Sequence, residues 1–433
     1  MDINIGIIGM GTVGTGVAEI LLRQKKILTS RTGLNLRLKR VVDINWEKAT
    51  GIDLSSVRRS SDAYDILEDK DIHIVVETIG GHEPAFSFIS KAIKNKKHVV
   101  TANKALIASK GKELFELAED NGVDLMFEAS VGGGIPVIKG LREGLVANDI
   151  ENIYGILNGT CNYILTKMHQ EGLDFSDALK AAQERGFAEA DPSLDIKGND
   201  TAHKLTILAM LASSSFVELN SIFMEGITEI SKLDIDFAKS FGYTIKLLAI
   251  YRVLNEGIDL RVHPTLVPSD HLLASVSNEL NAIFVKSNFA GDTMFYGPGA
   301  GRRPTASAIV SDIVDLGRDM ILQNGTRFSS RSIDTKSLAR VVTLDNVSNR
   351  FYLRLYTYDA PGILAQISGI LGEEKVSISS VLQLETHEKE NYVPLVILTH
   401  KAPEKAMKRA IERIKELSFI RNDLVYLRLL DEL

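Results

Sequence analysis

Cysteine is all but missing from this 433-residue chain, where Cys161 stands alone. A single thiol excludes an internal disulfide and any cysteine-built metal site, and it fits a reducing compartment, so a cytoplasmic location is expected. A cationic surface is missing too. The 50 Lys and Arg are outnumbered by 56 Asp and Glu, for a formal net charge of −6. No Lys/Arg cluster forms a binding arm, which argues against nucleic acid as a partner. No stretch reaches the ~18 uninterrupted apolar residues of a membrane span. The closest, "LTILAMLASSSFV" from Leu205, reads as a buried helix. The opening "MDINIGIIGMG" has an acid at position 2 and no basic region before its apolar run, so neither a signal peptide nor a transit peptide is expected.

What is present is a globular composition, 45% hydrophobic and 24% charged, in a chain too long for one compact core. The first third alternates strand-type runs ("INIGII", "LRLKRVVDI", "IHIVVETIG", "HVVTAN", "VDLMFEAS") with amphipathic helices such as "ALIASKGKELFELAEDNG". That alternation predicts an α/β fold, a parallel sheet covered by helices on both faces.

Between the first strand and its helix lies Gly9-Met10-Gly11-Thr12-Val13-Gly14. In a dinucleotide fold such glycines permit the tight turn, the approach of backbone to pyrophosphate and close helix–strand packing, with the phosphates on the helix N-terminus. An ordinary glycine turn would contain the same residues, and it is the strand before and the helix after that favour the cofactor reading. The second strand ends at Asp43, where an acid would accept hydrogen bonds from a ribose and repel a 2′-phosphate, favouring NAD over NADP. The spacing from Gly14 is longer than the usual ~20 residues, and a solvated acid at a strand end would look the same.

From about residue 150 the pattern changes to a strand, helices near 160–171 and 175–185, an acidic loop, an apolar helix from 199, and mostly strands over 244–296. We therefore expect a Rossmann-like domain over 1–148 with a helix at about 303–323 packing back on it, and a substrate-binding and dimerisation domain of α+β type over 149–302. A polar linker over 324–349 and a domain over 350–433 complete the chain. The last segment reads strand, helix, strand, strand, helix, strand, a ferredoxin-like order.

The acidic loop "GFAEADPSLDIKGNDTAHK", 186–204, runs directly into the apolar helix. Asp200 and Lys204 are four residues apart and share a helix face. On a surface this would be a plain ion pair. Here the helix continues apolar nearly all round, so the lysine enters a desolvated setting where it can serve as a proton donor. His203 projects about 100° away around the helix, and Lys204 is the preferred acid/base candidate.

Taken together, "GMGTVGTGV", "ETIGG", "VTANKALIA", "FEASVGGGIP", "LNGTCNYIL", "GFAEADPSLDIKGNDTAHKL" and "GPGAGRRPTASAIVSD" resemble the homoserine dehydrogenase family, in the family's order over roughly residues 5–320. The last eighty-odd residues resemble an ACT domain through "DAPGILAQI". With no kinase-like segment ahead of the Rossmann half, the monofunctional form is expected. The resemblance implies NAD(P)-dependent interconversion of L-aspartate 4-semialdehyde and L-homoserine, on the route to threonine, methionine and isoleucine. It implies that Glu189 and Asp200 hold the substrate amine, that Lys204 exchanges a proton with the substrate oxygen, and that Lys104 lies beside substrate and cofactor. Gly186 and Gly301 join Gly9 to Gly14 as cofactor contacts. "EASVGGGIP" matches the family's monovalent-cation loop, with oxygens of Glu128, Val131, Gly133 and Ile135 binding sodium, although a plain strand-to-helix connection would look no different. In the ACT segment the turn around Asp359 and Gly362 is the expected effector site, with threonine as the leading effector. A homodimer or homotetramer is expected.

One departure bears on the cofactor. Asp43 is followed by Ile44 and Asn45, where NADP-using members carry a basic residue. Two rivals compete with the family reading. An aspartate-semialdehyde dehydrogenase would work through a cysteine thioester, for which Cys161 is the sole candidate. A non-enzymatic sensor of nucleotide and amino acid would leave the lysine among carboxylates unexplained.

Overall fold

A computed structural model describes residues 2–47, 49–322, 333–383, 392–421 and 423–430. Residues 324–332 of the expected linker, residue 323 of the expected helix and parts of the C-terminal segment lie outside the described residues. The chain divides into two compact units, the first made of Met1–Gly159, Asp200–Ile222 and Leu280–Ala339.

The centre of the first unit is a six-stranded parallel sheet. Its strands are β1 (Asp2–Ile8), β2 (Asn35–Val42), β3 (Arg58–Ser60), β4 (Ile74–Glu77), β5 (His98–Thr101) and β6 (Leu125–Met126), in the order β3-β2-β1-β4-β5-β6. This is the doubly wound order, whose chain reversal falls between β1 and β4 and opens a crevice at the strands' carboxyl ends. Ile3, Ile5 and Ile7 of β1 are fully buried, as strands covered on both faces require. β3 is too short and too charged ("RRS") to leave a hydrophobic signature, which is why the sequence pattern did not predict it.

The helix Arg302–Leu322 returns from far along the chain and places Ile309, Ile313 and Leu316 in the same core as β1 and Val17 of the helix Thr12–Arg23. Two glycines allow this approach. A Cβ on Gly16 would sit 2.7 Å from the Arg302 carbonyl oxygen, and one on Gly317 would sit 2.8 Å from Ile3. Also in this unit, Ile150–Ile156 pairs antiparallel with Leu280–Ser287, which pairs antiparallel with Gly291–Pro298. Within the stretch expected as a linker, Asp334–Leu338 forms a strand paired with Ser215–Phe216.

The second unit comprises Thr160–Asn199, Phe223–Glu279 and Arg340–Leu433. It contains the antiparallel hairpin Tyr243–Leu254 and Gly257–Pro268. Its C-terminal segment has strands Ser348–Tyr358, Ile378–Gln383, Tyr392–Thr399 and Val425–Leu429 with helices Ile363–Glu373 and Glu404–Lys415. The fourth strand lies beside the first, the first beside the third and the third beside the second, the ferredoxin-like arrangement. Leu353, Leu355, Ile367, Leu395 and Met407 form its core. The last strand also pairs with the hairpin at Thr265 and Leu266, and Arg354 forms a buried ion pair at 2.7 Å with Asp234. No helix among the described residues is long and apolar enough to cross a membrane.

Candidate active site

The three glycines after β1 have different work. Gly9 turns the chain at φ 101°, a left-handed conformation that side chains resist. A Cβ on Gly14 would stand 1.9 Å from the Gly9 carbonyl oxygen, so the helix can pack against the turn only through glycine. A Cβ on Gly11 would meet nothing within 4 Å. That open backbone lies at the start of the helix Thr12–Arg23, whose N-cap receives no side-chain hydrogen bond and whose first turn has no acid. Free amides and a positive helix end suit a pyrophosphate. Gly301, at φ 115°, opens the helix Arg302–Leu322, and Gly186, at φ 73°, belongs to the second unit.

Asp43 is tied into this turn. Its carboxylate accepts the Met10 N–H in a short hydrogen bond and the Asn45 N–H at 2.8 Å. The acid that the sequence reading made a ribose acceptor therefore also braces the glycine loop, and Ile44 beside it is 91% exposed.

A second cluster is built on the ends of β4 and β5. Glu77 is fully buried and accepts hydrogen bonds from the Ile79 and Gly80 amides and, at 2.5 Å, from Thr101 Oγ1. Asn103 then caps the helix Lys104–Asn121, accepting from the Leu106 N–H at 3.1 Å and donating to the Gly81 carbonyl at 2.7 Å. Lys104 is thereby fixed as the first helical residue. Its Nζ lies 3.1 Å from Asp200 Oδ1, so the misfit of a cation at a helix start is answered by a carboxylate.

Asp200 and Lys204 lie in the first turns of the helix Asn199–Ser213, each 8% exposed. Lys204 Nζ donates to Asp200 Oδ2 at 2.7 Å and to the Leu157 carbonyl at 2.6 Å. Asn158 Nδ2 donates to the same Asp200 oxygen at 2.9 Å. Burial would raise the Asp200 pKa, but the charges of Lys204 and Lys104 and the hydrogen bonds from Lys204 and Asn158 outweigh it and hold the acid well below the usual carboxylate range. His203, half-buried on the same helix, has its pKa lowered chiefly by burial, against the raising effect of Asp200.

The structure thus brings together Lys104, Asp200 and Lys204. It adds Asn158, which the sequence showed only as part of "LNGTCNYIL", and Asn281, which lies in no motif singled out from the sequence. Glu189 lies in the second unit with an exposed side chain, and its main-chain carbonyl accepts from Gln183 at 3.2 Å. Asp191 folds its loop by accepting from Ser193, and Asp195 accepts from Thr160 at 3.2 Å. Cys161 is 0% exposed and its thiol donates to the Asp195 carbonyl at 3.2 Å, a poor position for a thioester nucleophile.

At the glycine turn 131–135, the Glu128 carboxylate accepts from the Ile138 and Lys139 amides at 2.9 and 2.8 Å. Burial, with the neighbouring Asp312, raises the Glu128 pKa to about 7, and burial does the same for Asp312. The Ile135 carbonyl accepts from Val137 at 2.8 Å. Among the described residues no group of three or more His, Cys, Asp or Glu side chains could hold a metal ion.

A doubly wound sheet with a dinucleotide turn, a buried lysine–carboxylate centre and a C-terminal ACT fold defines the class: an NAD(P)-dependent oxidoreductase with an ACT domain. Family models for homoserine dehydrogenase match residues 136–314, for its NAD-binding domain residues 9–128, and for the ACT domain residues 351–418. The homoserine dehydrogenase of Neisseria gonorrhoeae is 42% identical over 99% of this chain and 98% of its own length, and that of Bacillus subtilis 38% identical over 96% of each. A crystal structure of a homoserine dehydrogenase from Thiobacillus denitrificans superposes with a TM-score of 0.93 at 41% identity, covering 100% of this chain and 99% of that one. A hyperthermophilic archaeal homoserine dehydrogenase in complex with NADPH has a TM-score of 0.62 at 29% identity, covering 75% of this chain and 98% of that one. The chain belongs to the homoserine dehydrogenase family.

Proposed function

We propose that the chain interconverts L-aspartate 4-semialdehyde and L-homoserine, with Lys204 as the general acid/base. The observation that carries this is the Lys104–Asp200–Lys204 chain, in which the carboxylate and the second lysine are buried and both cations sit on one carboxylate. The bound dinucleotide supplies or accepts the hydride at nicotinamide C4. Lys204 spends two of an ammonium's three N–H groups on Asp200 and Leu157, leaving one for the substrate oxygen. As charge develops on that oxygen in the reduction, the ammonium stabilises it and then gives up the proton. Asp200 keeps Lys204 in place and, with Glu189 assigned by motif alone, answers the substrate's ammonium. Lys104 balances the charge of Asp200 and offers a second cation at the same centre.

NAD is the favoured nucleotide, on the strength of Asp43 and of an uncharged, exposed Ile44. Oxygens of Glu128, Val131, Gly133 and Ile135, mainly backbone carbonyls, are the proposed sodium ligands, supported by a tight turn with positive φ at Gly132 and Gly133. Threonine is the proposed effector at Asp359 and Gly362. The enzyme is read as cytoplasmic, in the route to threonine, methionine and isoleucine, working as a homodimer or homotetramer.

Nicotinamide absorbance, followed with homoserine and either oxidised nucleotide, tests the activity directly. No turnover with either would overturn the reading. A Cys161→Ser variant should keep its turnover, and complete loss would turn the assignment toward the thioester enzyme. Replacing sodium by choline in the same assay tests the cation.

A further inference from the structure

We propose that Asn281 is a positioning residue of the acid/base centre, fixing the Leu157 carbonyl on which the Lys204 ammonium rests. The inference rests on the reading of Lys204 given above. Asn281 Nδ2 donates to the Leu157 carbonyl at 2.9 Å, and Lys204 Nζ donates to the same oxygen at 2.6 Å. A carbonyl oxygen has two lone pairs, so this pair of donors fills it. The amide orientation follows, because a carbonyl can only accept. Register places the residue: Ala282 pairs with Ile156 in the antiparallel strands, which sets Asn281 beside Leu157.

The neighbouring chain is shaped around this amide. A Cβ on Gly299 would lie 2.0 Å from Asn281 Nδ2, so only glycine leaves the side chain room. Gly133 in turn lies close to Gly299, since a Cβ on Gly133 would lie 2.6 Å from the Gly299 carbonyl group. The two glycine motifs "VGGGIP" and "GPGAG" therefore close on each other next to Asn281.

Asn281 is 1% exposed, and its Oδ1 has no hydrogen-bond partner among the described residues. The half that is satisfied is the half that reaches the Lys204 contact. Leu157 is followed by Asn158, which holds Asp200. One strand end thus supplies one anchor of the lysine, the Leu157 carbonyl, and through Asn158 holds the other, Asp200, and Asn281 steadies it. With two of its donors fixed, the third N–H of Lys204 has a defined direction.

The test uses Asn281→Leu, close in size and lacking both the donor and the orphaned acceptor, with Asn281→Asp as its companion. For Asn281→Leu, kcat should fall ~10- to 100-fold, the scale of a misplaced reacting group, while nucleotide Kd and Tm stay close to wild type. For Asn281→Asp, the ratio of its kcat to wild type should rise toward low pH, because a protonated carboxyl regains the ability to donate to Leu157. Should Asn281→Leu fail to fold, the pH series of Asn281→Asp decides. A kcat within twofold of wild type for Asn281→Leu, or a flat ratio across pH for Asn281→Asp, overturns the proposal. Lys204→Ala, run alongside, separates the two readings: if it retains turnover the acid/base assignment has failed, and if it is inactive while Asn281→Leu is normal only the positioning role has.

Discussion

Asp200 and Lys204, one turn apart on one helix, are joined by a 2.7 Å hydrogen bond at a depth where each is only 8% exposed. A solvent-exposed pair with this spacing is worth little, roughly 0.3–0.5 kcal/mol. A buried one has cost its partners their hydration and needs a compensating use or a full set of hydrogen bonds. Lys204→Ala should lower kcat by at least ~100-fold, the scale of general acid/base catalysis, with nucleotide Kd unchanged. Steady-state kinetics and a fluorescence titration of the reduced nucleotide check this, and near-normal turnover would falsify the assignment.

The same pair governs behaviour in acid. Asp200 has a folded pKa below its unfolded value, held down by Lys204 and Lys104 against burial. Its contribution is therefore complete above the ordinary carboxylate value of about 3.9 and is lost as pH falls from there toward the folded value. In Asp200→Asn this contribution is absent, so Tm should be lower than wild type at neutral pH and the gap between the two curves should begin to narrow below about pH 4. Melting curves from pH 3 to 7 read the difference. Parallel curves would show that the carboxylate is not linked to folding in this way.

Two glycines in one motif should fail differently. Gly14→Ala forces a Cβ to within 1.9 Å of the Gly9 carbonyl oxygen and must shift backbone, so it should cost stability by about 1–3 kcal/mol or more, as overpacking does. Gly11→Ala meets nothing within 4 Å and should leave Tm unchanged, yet weaken nucleotide binding because the methyl group enters the space meant for pyrophosphate. Calorimetric Tm and Kd on the two variants separate them. Equal loss of Tm would mean that the open space at Gly11 has no ligand role.

Asp43 should make kcat/KM higher with NADH than with NADPH. Because its carboxylate also braces the Met10 and Asn45 amides, Asp43→Ala with Ile44→Arg should shift preference toward NADPH while raising KM for both nucleotides. A wild-type preference for NADPH would refute the role of Asp43.

Much of this was legible because it is local. The glycine turn, the parallel strands and the i,i+4 spacing of Asp200 and Lys204 follow from short-range periodicity, and they appear where the pattern put them. The ferredoxin-like order after residue 348 is likewise written in alternating apolar runs. What stayed hidden depends on contacts far apart in sequence. Lys104 and Asp200 meet across 96 residues, and Asn281 reaches Leu157 across 124, as strand register and a distant glycine dictate. The Asp43 carboxylate turned inward onto Met10 because a strand end and a glycine turn adjoin, a fact that no spacing rule along the chain contains.

Regulation can be tested at one residue without removing the C-terminal domain. Truncation near residue 345 would strip Arg354 from buried Asp234 and the strand Val425–Leu429 from Thr265 and Leu266, so loss of function in a truncated chain would say little about effectors. Gly362 is the better target. It caps the helix Ile363–Glu373 at φ 89° with open space around its Cβ position, and Asp359 beside it accepts from Gln383 at 3.2 Å. In Gly362→Asp the left-handed backbone costs about 1–2 kcal/mol, partly offset by a carboxylate at the helix N-terminus. A bound amino acid's carboxylate would be received at the same helix N-terminus, so the new side chain would compete for its place. Catalysis should be kept, and inhibition by threonine, which requires different affinity for two states, should be abolished. Kinetics with a threonine titration, together with calorimetry on wild type and variant, give the answer: unchanged inhibition in Gly362→Asp would move the effector site elsewhere, and a wild-type enzyme that neither binds threonine nor responds to it would remove threonine as the effector.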